Sequence, residues 1–285
     1  MTFKRLGSRM SERRRPARAR RWTLWSLAGV LLLGLAAGSV VLWQHAYDLS
    51  EEQVSLRHDG RLLDGVLALP PDGDGPFGLV VFVHGDGPVD ATHESHYRPL
   101  WESFAAAEPG LRFMIAVSPA VIWQRQGRYN LLAELGAEGA EPERVAEAPR
   151  DRETVLELLD RGASFEDYRA AMGDGRDMTA ERWGFIQRNH TADATDDLRA
   201  AHDVPVLLML AGHDLNVDVA ETGAAYRELL PDLLVLRYPE AGHAMVDAAV
   251  ERSTVQLTLT GVFAPRRLYT AGFLGDQADY LRGMA

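Results

Sequence analysis

Phe77-Gly78-Leu79-Val80-Val81-Phe82-Val83-His84-Gly85-Asp86-Gly87 is the stretch on which the reading of the fold turns. Leu79 to Val83 is an unbroken apolar run of β-formers, the pattern of a strand buried on both faces. It stops abruptly at His84-Gly85-Asp86-Gly87-Pro88. A parallel strand that ends in a glycine-bearing loop presents backbone N–H groups at its carboxyl end, where open α/β sheets bind ligands.

Outward from this strand the chain alternates between strand and helix. Upstream, Val54–Leu56 and Leu62–Leu69 flank His58-Asp59-Gly60 and predict a hairpin, followed by the loop Pro70–Pro76. Downstream, a helix is expected over Tyr97–Ala107 and an apolar strand over Leu111–Val117, stopped by Ser118-Pro119. Residues 122–204 are rich in Ala, Glu and Arg, show helical spacing and contain no convincing strand. Val206–Leu210 then predicts a strand, Val219–Leu230 a helix ended by Pro231, and Leu233–Arg237 a further strand. This order predicts an α/β fold with a doubly wound, mostly parallel sheet. We also expect Leu79–Val83 to pair in parallel with Leu111–Val117, because each would otherwise expose a buried edge, and the Tyr97–Ala107 helix is long enough for the right-handed crossover this needs.

Two loops carry polar residues directly after apolar strands: Gly212-His213-Asp214-Leu215-Asn216-Val217 and Glu240-Ala241-Gly242-His243. With His84-Gly85-Asp86-Gly87 they make the segment from Val54 to His243 resemble the α/β-hydrolase family, its lipase- and serine-aminopeptidase-like members in particular. The resemblance implies that Asp214 is the acid and His243 the general base of a catalytic triad. It further implies that His84, Gly85, Asp86 and Gly87 form the oxyanion-hole loop, and that the helices at about 122–204 form a lid. Imidazole titrates near neutrality and passes a proton both ways, while a carboxylate on its other nitrogen fixes the tautomer. The other reading of Asp214 is a cap for the helix beginning near Val219.

The nucleophile departs from the family pattern. No serine stands in a Gly-x-Ser-x-Gly setting, and residues 84 to 110 hold only one loop and one helix where the family has two further strands and the elbow. Ser118, at the end of an apolar strand, is the best substitute, yet Pro119 follows it and has no N–H to donate to an oxyanion. Asp86 would also set a carboxylate beside that oxyanion. The resemblance implies a serine-type ester or amide hydrolase, impaired by the missing nucleophile, acting on a small acyl ester or peptide. The alternative is a non-catalytic relative that at most binds. His84, Asp86, His93 and His96 lie within 13 positions, but His-x-x-His is a weak metal-ligand signal and no metal or cofactor is expected.

The amino terminus has a different character. Met1–Arg21 holds nine basic residues against Glu12 alone, so the rest of the chain carries −19 of a total of −11. Such an acidic body argues against nucleic acid as a partner. The chain has no cysteine, which excludes a thiol nucleophile. Trp22–Trp43 is uncharged, bounded by tryptophans and preceded by arginines. That pattern predicts a signal anchor with residues 1–21 in the cytoplasm, 22–43 in the membrane, and the hydrolase-like domain at 50–285 outside. A cleaved signal peptide, with small residues near Ala36-Ala37, is the competing reading.

Overall fold

The computed structural model describes residues 17–58, 61–71, 113–173 and 178–284. The expected strand Leu79–Val83, the loop His84–Gly87, the helix Tyr97–Ala107 and the histidines His93 and His96 lie outside the described residues, and so does the strand pairing expected for them.

The chain divides into two compact units, 1–46 and 47–285. The first contains α1 (Ala17–Gln44), whose segment Leu24–Gln44 has a mean hydropathy of 2.1 over 21 residues. At about 1.5 Å per residue that segment is roughly 30 Å long, enough to cross a bilayer's hydrocarbon core. Length and apolarity of this kind are shared by anchors and signal sequences.

The second unit opens with an antiparallel hairpin, β1 (Ser50–His58) and β2 (Arg61–Leu69), in register from Ser50 opposite Leu69 to His58 opposite Arg61. Asp64 stands opposite Ser55 and accepts a hydrogen bond from its hydroxyl at 2.6 Å. Val66 and Ala68, two apart and therefore on one face, pack against the main core.

The described part of the main sheet has three parallel strands in the order β3 (Met114–Val117), β4 (Val206–His213), β5 (Leu233–Gly242). Strand β4 is the axis of the fold. Leu207, Met209 and Ala211 face one core with Tyr238, Met245 and Phe273. Val206, Leu208 and Leu210 face the other, with Val121, Leu198, Tyr226 and Leu230. Burial on both faces explains why β4 reads as a continuous apolar run rather than an alternating one.

Between β3 and β4 come α2 (Trp123–Ala137), α3 (Pro142–Asp160), α4 (Phe165–Met172), α5 (Ala180–Asn189) and α6 (Thr195–Ala200). The helical character read over 122–204 is thus realised, among the described residues, in five helices. They include a small core of their own, in which Leu158, Leu159, Tyr168 and Trp183 are buried. Trp183 Nε1 donates to Ala163 O at 2.9 Å, and its ring lies 4.8 Å from that of Tyr168. Ser164 and Asp167 form a reciprocal capping box at the start of α4.

Helix α7 (Val219–Leu229) links β4 to β5. Beyond β5 follow α8 (Ala248–Glu251), α9 (Thr254–Phe263) and α10 (Phe273–Met284). Phe273 is buried, its ring edge-on to Tyr238 at 5.8 Å, and Tyr238 donates its hydroxyl to Asp276 Oδ2 at 2.7 Å. Burial and the Asp276 carboxylate raise the Tyr238 pKa. Helix α7 and the segment containing α10 therefore cover opposite faces of the sheet.

Candidate active site

Strands β4 and β5 run further than their apolar residues indicate, and the extension builds the site. The ladder continues past Leu210 and Arg237, shifts register between Ala211 and His213, and closes with His213 paired to Gly242. The next residues on the two strands are Asp214 and His243, which parallel pairing brings side by side. His243 Nδ1 lies 2.9 Å from Asp214 Oδ2 and 3.1 Å from Oδ1.

Gly212 makes the crossing possible. A Cβ there would stand 2.2 Å from the Pro239 carbonyl oxygen, well inside contact distance. Any side chain would push the two strand ends apart and separate the acid from the imidazole.

The Asp214 side chain is fully shielded from solvent, and its charge is met from three directions. Besides the imidazole, Oδ1 accepts from Asn216 N and Val217 N, both at 2.8 Å. A buried carboxylate needs such donors to offset its lost hydration. The helix-capping reading of Asp214 gives way here. The cap of α7 is Asp218, which accepts from Ala220 N and Glu221 N, leaving Asp214 to its own loop and to His243.

Helix α2 grips this acid loop. Tyr129 donates its hydroxyl to Asp214 O at 2.9 Å, Asn130 Nδ2 donates to Leu215 O at 3.2 Å, and Gln126 Oε1 accepts from Asp218 N at 2.8 Å. Burial, then the negative charges of Asp218 and Asp214, raise the Tyr129 pKa. No motif in the sequence singles these three residues out. Their spacing places them on one helical face, but nothing local says what that face meets.

His243 sits on a turn closed at both ends: Gly242 N donates to Val246 O at 2.8 Å and Met245 N to Gly242 O at 2.9 Å. Met245 takes a left-handed backbone (φ 59°) and is held there by a fully buried side chain and by Thr270 N, which donates to its carbonyl at 2.7 Å. The imidazole, 40% exposed, thus has one edge on the carboxylate and solvent access elsewhere. Glu251 approaches from α8 with its carboxylate folded over Gly242, so close that a Cβ at 242 would meet Oε2 at 1.8 Å. Desolvation raises the Glu251 pKa, His243 opposes that rise and Asp214 adds to it.

Ser118 lies at the end of β3, buried and with a left-handed φ of 38°. Its N–H donates to Met209 O at 2.9 Å, which continues the parallel ladder. The next ladder bond would join its carbonyl to Ala211 N–H. The turned backbone removes that carbonyl, and Ser118 Oγ accepts from Ala211 N instead, at 3.4 Å. Among the described residues the imidazole's hydrogen bonds go to Asp214 and none comes from a serine. Among them, too, no group of three or more His, Asp or Glu side chains could hold a metal ion. The loop His84-Gly85-Asp86-Gly87 is outside the described residues.

No family model matches the chain, and no curated protein matches it. Among solved structures, a thermostable esterase from Pseudomonas putida ECU1011 aligns at 17% identity over 88% of each chain, with a TM-score of 0.38. A mutant of esterase rPPE complexed with (S)-Ac-CPA aligns at the same identity and coverage with a TM-score of 0.37.

Proposed function

We propose that this chain is a membrane-anchored protein of α/β-hydrolase type whose Asp214–His243 pair is the acid and base of a serine-type ester or amide hydrolase site. The observation that carries this reading is the fully shielded Asp214 carboxylate on His243 Nδ1, at the carboxyl ends of adjacent parallel strands. That geometry holds the imidazole in the tautomer whose other nitrogen accepts a proton. Loops at the carboxyl ends of an open α/β sheet are also where substrate binds. The proposed lid is α2 to α6, whose first helix holds the acid loop. The proposed anchor is Leu24–Gln44, with the arginine-rich end in the cytoplasm.

Catalysis on this scaffold is weak. No Gly-x-Ser-x-Gly segment is present in the chain, and among the described residues no hydrogen bond joins a serine hydroxyl to the imidazole. Without an acyl-enzyme, His243 can activate only water against an already reactive ester. A triad lacking its nucleophile retains about 10³–10⁴-fold over water when the rest of the site is intact. Purified protein should therefore hydrolyse activated aryl esters slowly, without an initial burst, and His243→Ala should abolish what there is. A stoichiometric burst would show an acyl-enzyme and contradict the impaired reading. Turnover unchanged in His243→Ala would remove the site itself.

A further inference from the structure

Helix α9 differs from the other described helices of its unit. Its ten residues, Thr254-Val255-Gln256-Leu257-Thr258-Leu259-Thr260-Gly261-Val262-Phe263, include no charge, and none of them is buried. Val255, Leu259 and Phe263 recur every four residues and so form one stripe, at 68%, 53% and 39% exposure. An ordinary surface helix turns its apolar stripe to the core and its charges to water. Here the stripe faces outward, and a contiguous outward apolar face marks an interaction surface.

The surroundings of α9 indicate what it meets. Arg252 precedes its cap and Arg267 follows it, both exposed, so the uncharged helix is bracketed by cations. Arg266 sits over the ring of Tyr47, 4.7 Å from its centroid. Tyr47 is the third residue past Gln44, where the apolar helix ends, and three residues reach at most about 10 Å. The stretch just after α9 therefore packs near Tyr47, the first residue of its own unit. Apolar stripe, flanking arginines and that proximity together have the chemistry of a helix lying in a lipid interface.

We propose that α9 is a second membrane contact: Val255, Leu259 and Phe263 enter the acyl boundary of an anionic bilayer while Arg252 and Arg267 meet its headgroups. The inference rests on the anchored topology proposed above and is independent of the catalytic reading. It makes the domain lie against the bilayer instead of hanging from a flexible tether.

Because the chain has no cysteine, single cysteines can be labelled cleanly in the full protein. Leu259→Cys, Leu33→Cys in the anchor and Glu147→Cys on α3 would each carry an environment-sensitive nitrobenzoxadiazole. The proteins would be reconstituted in phosphatidylcholine vesicles with and without phosphatidylserine, and doxyl-labelled lipids added as quenchers. The label at 259 should be blue-shifted and quenched several-fold more than that at 147, and less so without phosphatidylserine. A water-like signal at 259 beside a lipid-quenched one at 33 would overturn the inference while leaving the anchor intact. A blue shift at 259 without lipid quenching would also overturn it, assigning α9 to a protein partner or a second copy. Equal quenching with and without phosphatidylserine would remove the role given to Arg252 and Arg267. An unquenched label at 33 would remove the anchor and, with it, the second membrane contact that rests on it.

Discussion

The carboxyl end of β3 and the carboxyl ends of β4 and β5 lie in one sheet, and each strand end carries a hydroxyl, carboxylate or imidazole suited to acyl-transfer chemistry. They use them differently. At β4 and β5 the register brings Asp214 to His243, and the loop's backbone N–H groups satisfy the carboxylate without occupying the imidazole. At β3 the chain turns through a left-handed residue, and the Ser118 hydroxyl replaces the carbonyl that the turn removed. Side chains at both strand ends accept from backbone N–H groups; the difference is that the Asp214 carboxylate keeps a second oxygen, Oδ2, for the imidazole.

The largest expected effect is on the β4–β5 side. Asp214→Ala removes the acceptor for His243 and leaves Asn216 N–H and Val217 N–H without their partner. It should cost about 3 kcal/mol in chemical denaturation and eliminate residual esterase turnover. Stability within about 0.5 kcal/mol of the parent would mean that the carboxylate is not the hub of the acid loop.

Gly212→Ala tests the crossing of the strands. The added methyl group meets the Pro239 carbonyl rather than a flexible side chain, so backbone must move. A loss of about 1–3 kcal/mol is expected, accompanied by loss of His243-dependent turnover because the acid and base separate. Retained turnover would show that the pair does not depend on this close approach.

Ser118 should behave oppositely. Its bond to Ala211 N is long, so Ser118→Ala should cost less than about 1 kcal/mol and leave ester turnover unchanged. Ser118→Gly loses the same bond but relieves the left-handed φ, so it should be the more stable of the two in parallel melts. A large turnover loss in either would bring β3 into the chemistry.

The smallest effect is electrostatic. Glu251 has a carboxyl pKa raised in the folded state, chiefly by desolvation, so folding disfavours its charged form. The native protein then binds more protons than the unfolded chain between the unfolded and folded pKa values, and this group's contribution to stability falls as pH rises through that window. Glu251→Gln should therefore melt slightly higher than the parent at pH 7 to 8, the gap closing toward pH 4. A gap that widens on acidification would reverse the sign assigned to this residue.

Much of the sheet was legible because β4 is apolar on both faces and Pro231 ends α7 where the pattern breaks. Asp214 and His243 were legible for a related reason: each closes an apolar run and stands in a glycine-containing loop. The hairpin was legible from the two runs, Val54–Leu56 and Leu62–Leu69, that flank His58-Asp59-Gly60. Strand continuation through Gly212-His213 and Pro239-Glu240 was not legible, because it depends on each strand finding the other and not on local propensity. The grip of Gln126, Tyr129 and Asn130 on the acid loop is likewise a contact between segments some 85–92 positions apart. The helices after His243 went unread for want of a motif, although Phe273 proves to be a core residue.

The contrast between the two strand ends is tested most directly by covalent labelling of the purified protein with a fluorophosphonate, followed by peptide mapping. A serine activated by His243 would be phosphonylated to stoichiometry, whereas a hydroxyl bonded into the sheet ladder would not. No stoichiometric label is expected at Ser118 or at any other serine. Full labelling at any serine, lost in His243→Ala, would contradict it, and labelling at Ser118 would place the nucleophile on β3.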